Sequence, residues 1–208
     1  GVNILADPAK VEECVEEAGI GFMFAPNFNK SMKYVGQARK EMGIRSVFNI
    51  LGPLANPSDA KCMVVGVYEP SLTDLMAKAM SRLGVENGFV VSGEDHMDEF
   101  TVTGRTTVSE IKDGQVSTYQ VCPEQFGLKS AALEELLGGD GAQNAEITKA
   151  ILKGEEQGAK REIVLLNAGA ALYVGKKAAS IQEGIQLAAE SIDSGRAYGV
   201  LERLGELS

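Results

Sequence analysis

The chain alternates between continuous apolar runs and amphipathic stretches, and this alternation predicts its elements. KCMVVGVYEP (61–70) and NGFVVSG (87–93) each contain a continuous apolar run, which is typical of strands buried on both faces of a parallel sheet. Between them, residues 71–84 have helical spacing, with Ser71 or Thr73 as the cap and Gly84 at the end. The order strand, helix, strand predicts a right-handed βαβ unit.

The segment before this unit is predicted to hold two helices and short apolar stretches. An aspartate cap, a proline in the first turn and a closing glycine predict a helix over residues 7–19. Residues 20–26 indicate a short strand and residues 29–43 a second helix. Val47–Leu51 indicates a strand or buried segment, which Gly52-Pro53 ends abruptly, either as a plain turn or as the rigid wall of a site.

The second half of the chain changes from β-rich to helical. Residues 99–121 contain three β-rich segments, with Asp113-Gly114 as a strong hairpin signal. The helical stretches that follow are 130–137, 143–153, 159–175, 180–194 and 196–204. Small residues in LLNAGAALYVG (165–175) predict a close approach to a neighbouring element. We expect one α/β domain over residues 1–208, with a mixed, mainly parallel central sheet flanked by helices.

Composition limits the classes of protein to which the chain can belong. The 208 residues are 44% hydrophobic and 24% charged, which is typical of a globular protein, and the net charge is −9. That charge argues against a nucleic-acid-binding surface, although it allows a small anionic ligand bound by one or two basic residues. Three widely spaced cysteines favour a reducing cytoplasm over a disulfide scaffold. We expect no signal peptide, and the sequence contains no apolar run of membrane-spanning length.

Two groups of polar residues could carry chemistry. Asp98 and Glu99 follow the buried strand 87–93, where ligands bind in open α/β sheets. Adjacent carboxylates suit magnesium that also holds a phosphate, and the alternative is a solvated acidic loop. Arg39 could pair with a carboxylate through its planar guanidinium, and the alternative is an ordinary surface arginine.

Four segments, taken in order, resemble one enzyme family. They are GIGFMFAPNFNKSMKYVGQARKEMGIRSVFNILGPLANP (19–57), DHMDE (95–99), NAEITKAILKGE (144–155) and LLNAGAALYVGKKAASIQEGIQLAAESIDSGRA (165–197). The run R-x-x-x-G-I-R-[ST]-x-F-N-x-L-G-P-L-x-N-P is quite specific, and the chain resembles anthranilate phosphoribosyltransferase over nearly its whole length. That family transfers a phosphoribosyl group from phosphoribosyl pyrophosphate to the amine of anthranilate, a step in tryptophan biosynthesis.

The resemblance implies roles for particular residues. Gly52 and Pro53 would line the anthranilate site, Arg39 would face the anthranilate carboxylate, and Asp98 and Glu99 would hold Mg²⁺. Asn29 stands where the family often has a histidine, which puts the outer anthranilate contact at that position in question.

The resemblance also implies that the chain is incomplete. The family's GTGGD phosphate loop, its KHGNR stretch and its small helical domain lie upstream of the matching region, so we expect this chain to be about the C-terminal three-fifths of the protein. The family dimerises through that helical domain, so the full-length protein is expected to be a homodimer and this chain alone to be inactive. The alternatives are a pyrimidine nucleoside phosphorylase-like enzyme and a non-catalytic or nucleic-acid-binding paralogue.

Overall fold

The structure, a computed structural model, describes residues 1–28, 41 and 50–208. Contacts between residues divide the chain into two compact units. The terminal unit comprises Gly1–Ser58 with Arg196–Ser208, and the sheet unit comprises Asp59–Gly195. The expectation of a single domain over residues 1–208 stays a prediction.

The elements alternate in the way that the hydrophobic pattern indicates. In chain order they are α1 (Pro8–Ala18), α2 (Ala25–Phe28), α3 (Leu51–Leu54), β1 (Cys62–Gly66), a 3₁₀ turn (Pro70–Leu72), α4 (Thr73–Arg82), β2 (Asn87–Gly93), β3 (Thr106–Lys112), β4 (Gln115–Val121), a second 3₁₀ turn (Pro123–Phe126), α5 (Leu133–Leu136), α6 (Gly141–Leu152), α7 (Ala159–Val174), α8 (Ile181–Asp193) and α9 (Arg196–Leu207). None of the helices in the described ranges is both long enough and apolar enough to cross a membrane.

The four described strands form one sheet in the order β1-β2-β3-β4. β1 and β2 pair in parallel, and the β2–β3 and β3–β4 pairs are antiparallel. The predicted mixed α/β class is therefore confirmed, whereas the expectation of a mainly parallel sheet is wrong for these strands. The reason is the hairpin at Asp113-Gly114, whose two residues have φ of 50° and 77° and so join antiparallel neighbours directly.

Helices cover both faces of the sheet. The Ser109 hydroxyl of β3 donates to the Thr73 hydroxyl of α4 at 2.9 Å. Glu110, the next residue, accepts a hydrogen bond from the Tyr173 hydroxyl of α7, also at 2.9 Å. Because successive strand residues point to opposite faces, α4 and α7 lie on opposite sides of the sheet. Fully buried Phe89 of β2 stacks on Tyr173, with ring centroids 5.6 Å apart.

The close approach predicted for residues 165–175 is confirmed where α7 crosses α8. A Cβ atom added to Gly169 would lie 2.7 Å from the backbone nitrogen of Ile185, and one added to Gly184 would lie 2.9 Å from the Gly169 Cα. The two backbones therefore touch, and only glycine fits at either position.

Other predictions at the element level need correction. Residues 20–26 do not form a strand; Gly21 lies against Val11 and Val15 of α1, and the following residues form α2. Residues 99–104 form a loop, because their polar groups bond to one another, to Asp95 and to Asn167. Neither Ser71 nor Thr73 caps α4, because the preceding 3₁₀ turn feeds directly into the helix.

Some boundaries also shift. The helix predicted at 130–137 is shortened to α5, and the one predicted at 143–153 begins earlier, at Gly141, where Asp140 is the N-cap. The predicted helix 29–43 lies outside the described residues, except for position 41. Of the predicted segment Val47–Leu51, only the last two residues are described, and Leu51 begins α3.

Candidate functional site

The acidic loop, residues 94–99, follows β2 at the carboxyl end of the parallel strand pair. Gly93 ends β2, and Gly66, which ends β1, pairs with Val91. A Cβ atom at Gly66 would overlap the backbone carbonyl of Asp98, so the loop lies directly over the end of β1. The loop therefore occupies the edge at which open α/β sheets bind their ligands.

Asp95 holds the acidic loop in shape. Its Oδ2 accepts hydrogen bonds from the hydroxyls of Thr101 at 2.5 Å and Thr103 at 2.6 Å, and its Oδ1 accepts one from the Met97 amide at 3.1 Å. Thr101 is only 1% exposed, so the loop is fastened to the protein interior. Because its oxygens are used in this way, Asp95 organises the loop and is not directed at a ligand.

Two carboxylates of the loop, those of Asp95 and Glu99, have opposite pKa shifts. Burial alone would raise the pKa of Asp95, but the hydrogen bonds from Thr101, Thr103 and Met97 outweigh it and hold that pKa below its ordinary 3.8. Partial loss of hydration around its carboxylate, followed by the negative charges of Asp98 and Asp95, raises the pKa of Glu99 above its ordinary 4.5. A cation next to Glu99 would relieve that repulsion.

The pair Asp98 and Glu99 fits a magnesium site that is shared with a substrate. Both side chains are exposed and present hard oxygen ligands. Within the described ranges, no group of three or more His, Cys, Asp or Glu side chains is arranged to enclose a metal ion. Magnesium commonly binds through one or two carboxylates and completes its shell with water and phosphate oxygens, which is the arrangement that this pair allows.

Asn167 of α7 is a site residue that the sequence analysis did not single out. Its Oδ1 accepts a hydrogen bond from the Phe100 amide at 3.0 Å, and its Nδ2 donates to the Phe100 carbonyl at 2.8 Å. Nδ2 also lies 3.3 Å from Oε2 of Glu99. The signal available in the sequence was a single amide side chain among the apolar and small residues of a predicted helix.

Of the residues predicted to bind anthranilate, Gly52 and Pro53 are described and belong to the terminal unit. Gly52 lies in α3 and is exposed, and among the residues that the structure describes no atom lies within 4 Å of the position that a Cβ would take. Pro53 follows and is half-buried. Arg39 and Asn29 lie outside the described residues. A cleft shared by these residues and the acidic loop stays a prediction.

Comparisons with known proteins match the whole chain. The family model described as "Glycosyl transferase family, a/b domain" matches residues 1–198. Anthranilate phosphoribosyltransferase of Acetivibrio thermocellus is 52% identical over 208 residues, which are 100% of this chain and 60% of that protein. The structure of the Thermus thermophilus anthranilate phosphoribosyltransferase superimposes with a TM-score of 0.93 at 43% identity, covering 100% of this chain and 61% of that one.

The Saccharomyces cerevisiae enzyme is a more distant match. Its structure in complex with PRPP and Mg superimposes with a TM-score of 0.89 at 30% identity, covering 98% of this chain and 58% of that one. The chain thus spans about 60% of the length of the relatives it matches. The resemblance to anthranilate phosphoribosyltransferase is confirmed, and the chain belongs to the glycosyl transferase family that shares this a/b domain.

Proposed function

We propose that the protein transfers a phosphoribosyl group from phosphoribosyl pyrophosphate to the amine of anthranilate, releasing pyrophosphate, as a cytoplasmic step of tryptophan biosynthesis. The similarity to anthranilate phosphoribosyltransferases over all 208 residues supports the reaction. The observation that carries it is the exposed Asp98-Glu99 pair over the carboxyl end of the parallel strands, where a charged leaving group can be bound.

Asp98 and Glu99 would hold Mg²⁺ through their carboxylate oxygens. When bound, the metal neutralises the charge that develops on the departing pyrophosphate. Asp95 keeps the loop in the required shape through its hydroxyl and amide partners. The protein's contribution at this end of the reaction is therefore to position the ligands and lower the electrostatic barrier.

At the acceptor end, Gly52 and Pro53 would form the wall for the anthranilate ring, with Arg39 on its carboxylate and Asn29 at the outer contact. The exposure of Gly52 and its lack of a side chain support this assignment, because a flat ring needs close approach to the backbone. A guanidinium can bind a carboxylate with two parallel hydrogen bonds, which would orient the amine for attack. We further propose, from the resemblance, that the complete protein is a homodimer, which light scattering would test.

The reaction can be tested by the loss of anthranilate fluorescence with phosphoribosyl pyrophosphate and magnesium, using the complete open reading frame that encodes these residues. Asp98→Asn and Glu99→Gln should each lower kcat about 10²-fold or more, because they weaken electrostatic stabilisation of the leaving group. Glu86→Gln, an exposed acid next to the opposite end of β2, should leave the rate unchanged. If the wild type and the Asp98→Asn and Glu99→Gln variants are all active, the metal assignment is wrong. If the wild type is inactive, the proposed reaction is wrong.

Arg39→Ala tests the acceptor site in the same assay. Removing the guanidinium should raise the KM for anthranilate more than the KM for phosphoribosyl pyrophosphate, because only anthranilate loses a carboxylate partner. Equal changes in both constants would indicate that Arg39 has a structural role instead.

A further inference from the structure

Phe100, the residue after the acidic pair, is fixed on two sides. Its side chain is fully buried and packs edge-on against Phe89, with ring centroids 5.5 Å apart. Its peptide groups are bound by both ends of the Asn167 amide, at 3.0 Å and 2.8 Å. Because Glu99 is joined directly to Phe100, this amide determines where the Glu99 backbone leaves the protein interior.

The Asn167 amide also reaches the Glu99 carboxylate itself. Its two N–H groups have three acceptors nearby: the Phe100 carbonyl at 2.8 Å, the Ile163 carbonyl at 3.0 Å and Glu99 Oε2 at 3.3 Å. The contact with Glu99 is the longest of the three. The carboxylate can therefore turn towards a cation and leave the amide fully bonded to the two carbonyl groups.

We propose that Asn167 is a positioning residue that orients Glu99 for metal binding. It fixes the Phe100 peptide, and it holds the Glu99 carboxylate until a cation replaces the Asn167 amide as the partner of that carboxylate. The inference rests on the proposed function, because it requires Asp98 and Glu99 to hold the metal. Residues that orient metal ligands commonly contribute about 10–100-fold to metal affinity.

Asn144 of α6 provides a matched control. Its Oδ1 accepts a hydrogen bond from the Gly139 amide at 2.9 Å, and its Nδ2 donates to the Gly139 carbonyl at 3.1 Å. This is the same two-ended amide contact with a backbone, but Gly139 precedes a helix N-cap and is not adjacent to the acidic pair. Asn144→Ala therefore removes the same kind of hydrogen bonds without affecting Glu99.

The experiment is a Mn²⁺ titration of the ¹⁵N-labelled chain, with paramagnetic broadening of the amide signals near Phe100 as the readout. Asn167→Ala should weaken the apparent Mn²⁺ affinity at least about tenfold, whereas Asn144→Ala should leave it unchanged. The affinity is measured on signals of the folded state, so a general loss of stability does not alter it. If Asn167→Ala fails to fold, Asn167→Ser, which keeps one hydrogen-bonding group, should still show a severalfold loss.

The other outcomes separate the inference from the proposed function. Asp98→Asn and Glu99→Gln should abolish the broadening near Phe100, and this result supports the metal pair whatever Asn167→Ala does. Wild-type affinity in a folded Asn167→Ala or Asn167→Ser variant would overturn the role of Asn167 alone. Absence of broadening near Phe100 in the wild type, both with Mn²⁺ alone and with Mn²⁺ and pyrophosphate together, would overturn the metal pair, and with it the inference.

Discussion

Asp95 and Asp98 are three positions apart in the same loop and have opposite relations to their surroundings. Asp95 accepts hydrogen bonds from two hydroxyls and one amide. Asp98 is exposed, and its carboxylate accepts no hydrogen bond from the part of the chain that the structure describes. The Asp95 carboxylate is therefore bound by groups of the protein, and the Asp98 carboxylate remains available to a ligand.

Replacing each of these aspartates by asparagine should separate the two roles. Asp95→Asn should lower the free energy of unfolding by about 1–3 kcal/mol, because it weakens hydrogen bonds to a charged acceptor. Asp98→Asn should leave the stability unchanged or slightly raise it, because it removes repulsion with Glu99. Urea denaturation of both variants measures the difference, and equal destabilisation would contradict the assignment of Asp95 as the residue that organises the loop.

Glu99 should make the stability of the metal-free protein depend on pH in a direction unusual for a carboxylate. Its pKa is raised in the folded state, so its ionised form lowers stability at neutral pH, and this penalty disappears as the pH falls through the folded pKa and below 4.5. Glu99→Gln should therefore be more stable than the wild type at neutral pH, with a difference that shrinks on acidification. A difference that grows on acidification in chelator-containing buffer would show the pKa shift to have the opposite sign.

The site was only partly predictable from the sequence, because some of its contacts join residues that are far apart in the chain. Asp98 and Glu99 could be located from the end of an apolar strand and the resemblance. The contact between Asn167 and Phe100 joins residues far apart in the chain, and no local pattern indicates it. The partners of Asp95 depend on how the loop folds back. From the sequence alone, a metal-binding loop and a solvated acidic loop were therefore equally possible.

Among the elements, the crossing of α7 and α8 offers the sharpest test. Gly184→Ala would press a methyl group onto the backbone of Gly169, and the two helices would have to separate. We expect this to lower the free energy of unfolding by about 2–3 kcal/mol or more. Since α7 also carries Asn167, the Mn²⁺ affinity should fall as well.

Gly199→Ala is the matched control for this substitution. Gly199 also lies within a helix, α9, but in the described ranges of the chain no atom lies within 4 Å of its Cβ position. Alanine there should raise stability by up to about 1 kcal/mol through its higher helix propensity. If thermal unfolding shows Gly184→Ala to be as mild as Gly199→Ala, the helices do not touch at this point.

Elements with local signals were predicted well. The cap, proline and closing glycine of α1 and the turn at Asp113-Gly114 are present as expected, because each is set by the φ and ψ preferences of a few residues. The strand expected at 20–26 is not formed, and Gly21 lies against Val11 and Val15 of α1, a tertiary contact that the apolar run does not reveal. Whether an apolar run forms a strand depends on its tertiary contacts and not on the sequence of the run alone.

At the scale of the whole molecule, the charge balance argues against a nucleic-acid-binding paralogue. The chain has 29 acidic and 20 basic residues. We expect no retardation of duplex DNA or single-stranded RNA in a mobility-shift assay at low salt, because there is no excess of cations to displace counterions. Retardation that weakens steeply as salt is added would favour the paralogue.

The contact between Gly66 and the Asp98 backbone has a consequence for the order of folding. The two residues are 32 positions apart (98 − 66), and the contact requires β1 to have reached its place beside β2 across the intervening helix. Such long-range parallel pairing forms slowly, whereas the β3–β4 hairpin can form early from neighbouring residues. A newly made chain would thus form its hairpin first and the proposed cation site late. On partial unfolding, the proposed site would be lost as soon as the parallel strands separate, while the hairpin is still intact.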